Sequence, residues 1–212
     1  MGKEKMRPEG LSTRDHIIAV ARRLFAQDGY QATSTERVLA ETGISRGALY
    51  HHFENKEALF AAVLEAVESD LAAGAAQAIG ASSDPVEALR VALGGFLRRA
   101  SEPEIRRIVL TDAHSVVGWE KWREIEERYG LGLLKAALRR ISESGRVPPS
   151  MVDVYTHIIL ASMIEIAFMI SRSEDSDAEI ERGTLAMNQL LERLLQPSLH
   201  GDLPSTSAGG IG

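Results

Sequence analysis

Between Thr33 and Lys56 the chain gathers side chains suited to holding a polyanion. On one helical face they include the guanidinium of Arg46, the phenol of Tyr50 and the imidazoles of His51 and His52. Their spacing suits recognition rather than catalysis. His51 and His52 are neighbours, so on a helix they point about 100° apart and cannot share a metal as an i, i+4 pair does. His114 and His157 stand isolated in the sequence. There is no cysteine, which removes disulfides, thiolate zinc sites and cysteine nucleophiles. No Walker loop, dinucleotide fingerprint or nucleophile elbow is present. The residues therefore predict no enzyme, no cofactor and no resident metal.

The same stretch reads as two short helical patterns divided at Thr42-Gly43. One of Thr33, Ser34 and Thr35 caps the first, ahead of Val38 and Leu39, and Gly43 supplies the positive φ that ends it. Ser45 caps the second. There Leu49 and Phe53 share one face, while Arg46, Gly47, Ala48, Tyr50, His51 and His52 occupy the other. Two short helices with a glycine turn, the second showing small, basic and aromatic groups, suit a helix-turn-helix whose second helix enters a DNA major groove. On spacing alone, an ordinary helical hairpin fits equally well.

The residue identities go further. Ala32-Thr33, Gly43-Ile44-Ser45, Gly47, Leu49-Tyr50, His52-Phe53 and Lys56-Glu57-Ala58-Leu59 resemble the DNA-binding signature of the tetracycline-repressor (TetR) family, without a gap from about Leu11 to Phe60. Beyond residue 65 only the length and helical rhythm are similar. The resemblance implies that Thr35, Tyr50, His52 and Lys56 hold phosphates, which fixes register without reading sequence. It implies that Arg37, Arg46, Gly47, Ala48 and His51 face the bases, with Ser45 opening the reading helix. Physically, Arg46 suits a bidentate guanine contact or another phosphate contact, and both stay open. Gly47 and Ala48 would let the backbone approach base edges.

A net charge of −6 over 212 residues looks wrong for a DNA binder. Residues 1–60, however, hold nine Lys/Arg and eight Asp/Glu, whereas the remainder holds fifteen and twenty-two. The acidic excess lies outside the proposed reading head. Aromatics are only 5% of the chain, and Ala, Leu, Glu and Arg are plentiful, which favours helices. The N-terminus lacks the apolar core of a signal peptide, and no apolar stretch reaches the roughly 20 residues of a membrane span. A cytoplasmic protein with no membrane partner is expected.

Positioning elements follow from caps and stripes. Ser12 or Thr13 starts a helix carrying Ile17, Ala21, Leu24 and Phe25, which Asp28-Gly29 ends. Asn55 caps a fourth helix running to near Gly80, with no Pro or Gly before Gly74, so the head is rigidly coupled to whatever lies at its far end. Asp84-Pro85-Val86-Glu87 is a capping box, and Ser101-Glu102-Pro103-Glu104 opens a helix that fades between Ser115 and Gly118. Trp119 to Ser144 continues helical, bent at Gly130 and Gly132. Ser150 with Asp153 opens an apolar helix to Arg172, and Ser176-Asp177-Ala178-Glu179 caps the last, which Pro197 ends.

Two apolar helices at the end of a chain, at about 150–172 and 177–196, either fill the protomer core or meet their symmetry mates in a four-helix bundle. The resemblance implies the second, a homodimer. Phe96, His114, Trp119, Trp122, Tyr129, His157 and Met163 could line a site for a lipophilic small-molecule effector, although each alone also suits packing. Glu165, inside the apolar run, is expected as a buried carboxylate that pairs across an interface or faces a ligand.

The expectation is an all-α chain: an arm (1–10), a three-helix helix-turn-helix DNA-binding domain (11–54), a larger ligand-binding and dimerisation domain (55–196) and a disordered tail (197–212). Its function would be that of a ligand-responsive transcriptional regulator, a repressor binding a palindromic double-stranded operator as a homodimer. The alternative is a helical small-molecule sensor or carrier acting through a protein partner.

Overall fold

Each of the first four helices begins where a side chain takes up one of its free N–H groups. In a computed structural model that describes residues 12–195, Ser12 Oγ accepts from Asp15 N at 3.1 Å and opens α1 (Thr13–Ala32). Ser34 accepts from Arg37 N at 3.1 Å for α2 (Thr35–Thr42), and Ser45 from Ala48 N at 3.2 Å for α3 (Arg46–His52). Asn55 accepts from Ala58 N at 2.7 Å for α4 (Lys56–Gly80). Each such cap contributes about 1 kcal/mol. The proposed arm at 1–10 and tail at 197–212 lie outside the described residues.

Gly43 closes α2 with φ +71°, and Gly29 turns the chain out of α1 with φ +81° and ψ 169°. The buried Thr33 holds this corner by donating to Gly29 O at 2.8 Å. Behind it, Phe25, Tyr30 and Phe60 pack as a triad with centroids 5.3–5.9 Å apart. Leu49 and Phe53 anchor α3 to the same core.

α5 (Pro85–Arg99) starts at Asp84, whose carboxylate accepts from Val86 N at 3.0 Å. The reciprocal partner is not Glu87: Asp84 N donates instead to Ser82 Oγ at 3.3 Å. The next expected helix is π-wound over Ile105–Asp112 and continues as α6 (Ala113–Glu126), which breaks at Gly118 (φ +74°). A second π segment, Glu127–Leu131, lies where glycine bending was expected and leads into α7 (Gly132–Glu143). A Cβ on Gly132 would stand 2.8 Å from Glu127 O, so this winding requires glycine there.

α8 (Val152–Arg172) follows a 3-10 turn at Pro149–Met151. Ser150 sits in that turn and makes no cap. α9 (Ser176–Leu194) is capped by Asp175, one residue before the expected start. Gly183 lets α9 approach α8, since a Cβ there would meet Ile166 at 2.5 Å. Counted from Pro149, the α8 stretch is long and apolar enough to cross a membrane by composition alone, with mean hydropathy 1.7, contrary to the sequence reading. One face nevertheless packs inside the protein, through Ile159, Met163, Ala167 and Ile170.

Two cores result, and they do not divide at residue 54. The first joins α1–α3 to the front half of α4 and to Ile105, Ile108, Ala113, Val117 and Ile125. The second joins α5, α7, α8 and α9. The head is also tied down by polar contacts. Arg22 holds Glu104 through two bonds of 2.7 Å and also pairs with Asp70 of α4. Arg107 donates to Asp28 O at 3.2 Å, and Tyr30 N donates to Asp112 Oδ2 at 2.8 Å.

Gly29 lies under the Arg107 guanidinium, which stands 2.2 Å from where a Cβ would sit. Gly29→Ala is expected to lower the unfolding free energy by about 1–3 kcal/mol, because its φ and ψ are nearly exclusive to glycine. Urea unfolding measures this, and an unchanged midpoint would contradict the assignment of strain to this corner.

Candidate nucleic-acid interface and internal cavity

The outer face of α3 carries side chains with little engagement inside the protein. Arg46 reaches Glu36 of α2 at 3.4 Å, both groups 64% exposed, and lies over the Tyr50 ring at 5.6 Å. Its neighbour Gly47 faces open space: a Cβ there would meet only Ser45 Oγ, at 3.9 Å. Packing within the protein does not ask for glycine at this position. Tyr50 and His51 are exposed, while Ala48 and His52 are half-buried. The two imidazoles sit edge-on with centroids 5.3 Å apart.

The remaining sequence candidates flank this face. Thr35 opens α2, and Ser45 is both exposed and occupied as the cap of α3. Lys56, first residue of α4, rests its ammonium 4.0 Å from the Tyr30 ring centre, and partial burial lowers its pKa. Arg37 is drawn back to Asp28 at 2.7 Å. Thus Arg46 stands freest of the two arginines.

The ligand candidates divide. Phe96 and Met163 share the wall of a cavity of about 380 Å³ between α4, α5, α7 and α8. His114, Trp119 and Trp122 instead stack on one another outside it, His114 and Trp122 at 4.0 Å, with Trp119 62% exposed. Tyr129 packs against the first core, and exposed His157 approaches Arg123 at 3.5 Å. Glu165 is not the buried carboxylate expected. It lies on the exposed stripe of α8, in line with Val154, Ile158, Ala161 and Met169.

The cavity's acid is Glu68, which the sequence reading passed over, accompanied by Leu71, Ile79 and Leu89, with Arg98 and Arg99 of α5 in the same lining. The available signal was a carboxylate amid the apolar run Val63, Leu64, Val67, Leu71, the same kind of signal that drew attention to Glu165. Among the described residues no group of three or more His, Cys, Asp or Glu could hold a metal.

Residues 17–63 match the family described as bacterial regulatory proteins, tetR family, and residues 86–194 match the tetracyclin repressor-like C-terminal domain. The chain is 35% identical over 107 residues to the HTH-type transcriptional regulator AcrR of Shigella flexneri, an alignment that spans 50% of each protein. It is 32% identical over 161 residues to an HTH-type transcriptional repressor of Mycobacterium tuberculosis, covering 71% of this chain and 80% of that one. A solved TetR-family transcriptional regulator from Pectobacterium atrosepticum superposes with a TM-score of 0.76 at 32% identity, over 86% of this chain and 94% of the other.

Burial, and after it the neighbouring Glu126 carboxylate, push Glu68 up to about 7 from 4.5. Glu126 is 7% exposed and paired with Arg123 at 2.7 Å. A carboxyl raised in the folded state binds its proton more tightly there than when unfolded. Its contribution is therefore fully present below pH 4.5 and is lost as pH rises through 7. Glu68→Gln is expected to leave stability nearly unchanged at pH 4 and to raise it at pH 8 by about 2 kcal/mol, less than full linkage because the cavity admits solvent. Denaturant midpoints at the two pH values test this, and an equal shift at both would contradict it.

Proposed function

The chain belongs to the TetR family of DNA-binding transcriptional regulators, and from that premise we propose that it is a ligand-responsive repressor that grips a palindromic operator as a homodimer. The observation that carries this reading is the outer face of α3. A short helix, capped at Ser45 and anchored by buried Leu49 and Phe53, presents Arg46, Tyr50 and His51 around a glycine whose missing side chain serves no internal packing. That is the surface a major groove admits. Arg46 reads a guanine edge, since its exposed pairing with Glu36 is cheaply exchanged. Arg37 must first leave Asp28 and contributes less. Thr35, Tyr50, His52 and Lys56 grip phosphates.

Dimerisation runs through α8 and α9. Val154, Ile158 and Met169 of α8 are 40–51% exposed in one stripe, and Leu185 of α9 is 59% exposed. Pairing this face with its symmetry copy removes apolar surface from water and sets two heads about one helical turn apart, about 34–36 Å. The effector is a lipophilic small molecule in the cavity beside α4, and it acts by binding more tightly to the conformation whose heads no longer match the operator. The protein works in the cytoplasm, without catalysis or membrane insertion.

Selection from random DNA is expected to enrich a palindrome, and the absence of enrichment at low salt would overturn this reading. Arg46→Ala should reduce discrimination between operator variants by about 1–3 kcal/mol, whereas Lys56→Ala should weaken every sequence alike. Equal losses across all sequences for both variants would remove the base-reading role from Arg46. Ile158→Glu with Met169→Glu should halve the mass in sedimentation and weaken operator binding. A dimer that persists would place the interface elsewhere.

A further inference from the structure

Asp28 lies near the end of α1, and one of its oxygens lacks a satisfactory partner. Oδ2 is shut off from water and accepts no hydrogen bond, although Arg37 Nη1 stands 2.7 Å away as an ion pair. Arg107 gives no relief: it donates to the backbone oxygen of Asp28 at 3.2 Å and leans towards Asp112 at 3.6 Å. Among the described residues, Arg37 is therefore the cation that offsets the Asp28 carboxylate. Arg107 also pins the backbone on which that carboxylate is mounted, so Asp28 cannot follow Arg37 outward. Departure of Arg37 would leave an enclosed carboxylate oxygen with neither water nor counter-charge, which costs more than parting an exposed pair. Arg46 supplies the contrast. Its partner Glu36 is 3.4 Å away and both groups are 64% exposed, so a phosphate replaces Glu36 at little cost.

We propose that Asp28 is an internal stand-in for a DNA phosphate, which withholds Arg37 from the duplex and so limits the grip of each reading head. The position of Arg37 makes it the cation worth withholding. It lies in the first turn of α2, two residues after Thr35, whose hydroxyl belongs to the proposed phosphate grip. Its side chain stays 46% exposed while paired, so the pull of Asp28 rather than burial holds it back. A cation that engages a phosphate displaces condensed counterions whatever the sequence. Freeing Arg37 therefore adds affinity for every duplex and steepens the dependence on salt. Withholding it keeps the hold on random DNA weak. This deepens the operator reading above and rests on DNA binding by α2 and α3, not on the palindrome or the effector.

Fluorescence anisotropy of the full chain on a labelled random-sequence duplex, across a salt series, tests the withholding. Asp28→Asn keeps the shape of the side chain and removes its charge. It is expected to bind about tenfold more tightly at 0.1 M salt, with a log–log salt slope steeper by about 0.9 for each head bound. Arg37→Ala should leave the slope unchanged, whereas Lys56→Ala should flatten it. An effect of net charge alone would instead move Asp28→Asn and Arg37→Ala equally and in opposite directions. Adding Arg37→Ala to Asp28→Asn should erase the gain, which separates a freed arginine from a loosened α1 corner. Thermal unfolding followed by circular dichroism accompanies each titration, and Asp28→Ser enters the same series if the first substitution disturbs folding. An unchanged slope in the Asp28 variants, an equal gain in the double variant, or a flatter slope in Arg37→Ala would each overturn the proposal. So would a gain confined to one sequence, which would make Arg37 a base reader. Random duplex requires no operator. Failure to select a palindrome would therefore count against the repressor reading and leave these titrations decisive.

Discussion

The structure depends on α4 being one unbroken rod of 25 residues that belongs to two environments. Its front, from Leu59 to Leu71, is cemented into the same core as α1, α2 and α3. Its rear, from Glu68 to Ile79, forms the cavity wall. An α-helix cannot shear within itself without breaking successive backbone hydrogen bonds. A displacement imposed at the cavity is therefore carried to Lys56 and to the α3 that follows the same core. The Arg22 contacts to Glu104 and Asp70 tie α1 to α4 and to the residue that leads into the first π segment.

Charge is placed to match this division. The reading face keeps its cations in weak, exposed pairings such as Arg46 with Glu36, which water and phosphate can replace at little cost. The interior keeps an acid without a counter-ion. One end thus awaits anions and the other carries an unmet negative charge. A single helix, α4, joins the two regions.

Much of this was legible because local signals decide local structure. Ser12, Ser45, Asn55 and Asp84 mark helix starts, since each places an oxygen where N–H groups lack partners. Gly29 and Gly43 mark ends because their backbones need positive φ. The reading helix combined such signals with a distinctive residue pattern. The two π segments were not legible. The first, Ile105–Asp112, holds no glycine or proline, and although Gly130 and Gly132 mark a bend at the second, nothing in Glu127–Leu131 specifies the wider winding itself. The cavity was equally hidden, because an apolar residue lining a void and one filling a core have the same periodicity. Glu165 and Glu68 illustrate the limit. Both interrupt apolar runs, yet one lies on the bare stripe of α8 and the other in the wall of the cavity, a difference set by which helices pack alongside.

The first π segment has a geometric outcome of its own. Arg107 and Asp112 are five residues apart, and both grip the end of α1, the first at Asp28 O and the second at Tyr30 N. In an α-helix, residues five apart point about 140° away from each other, so only one of the two could reach this corner. The wider winding turns them to the same side and makes a two-fingered clasp from a single segment. Tightening those eight residues into ordinary helical pitch would release one finger, so the coil state of Ile105–Asp112 and the seating of the reading head form a single mechanical latch.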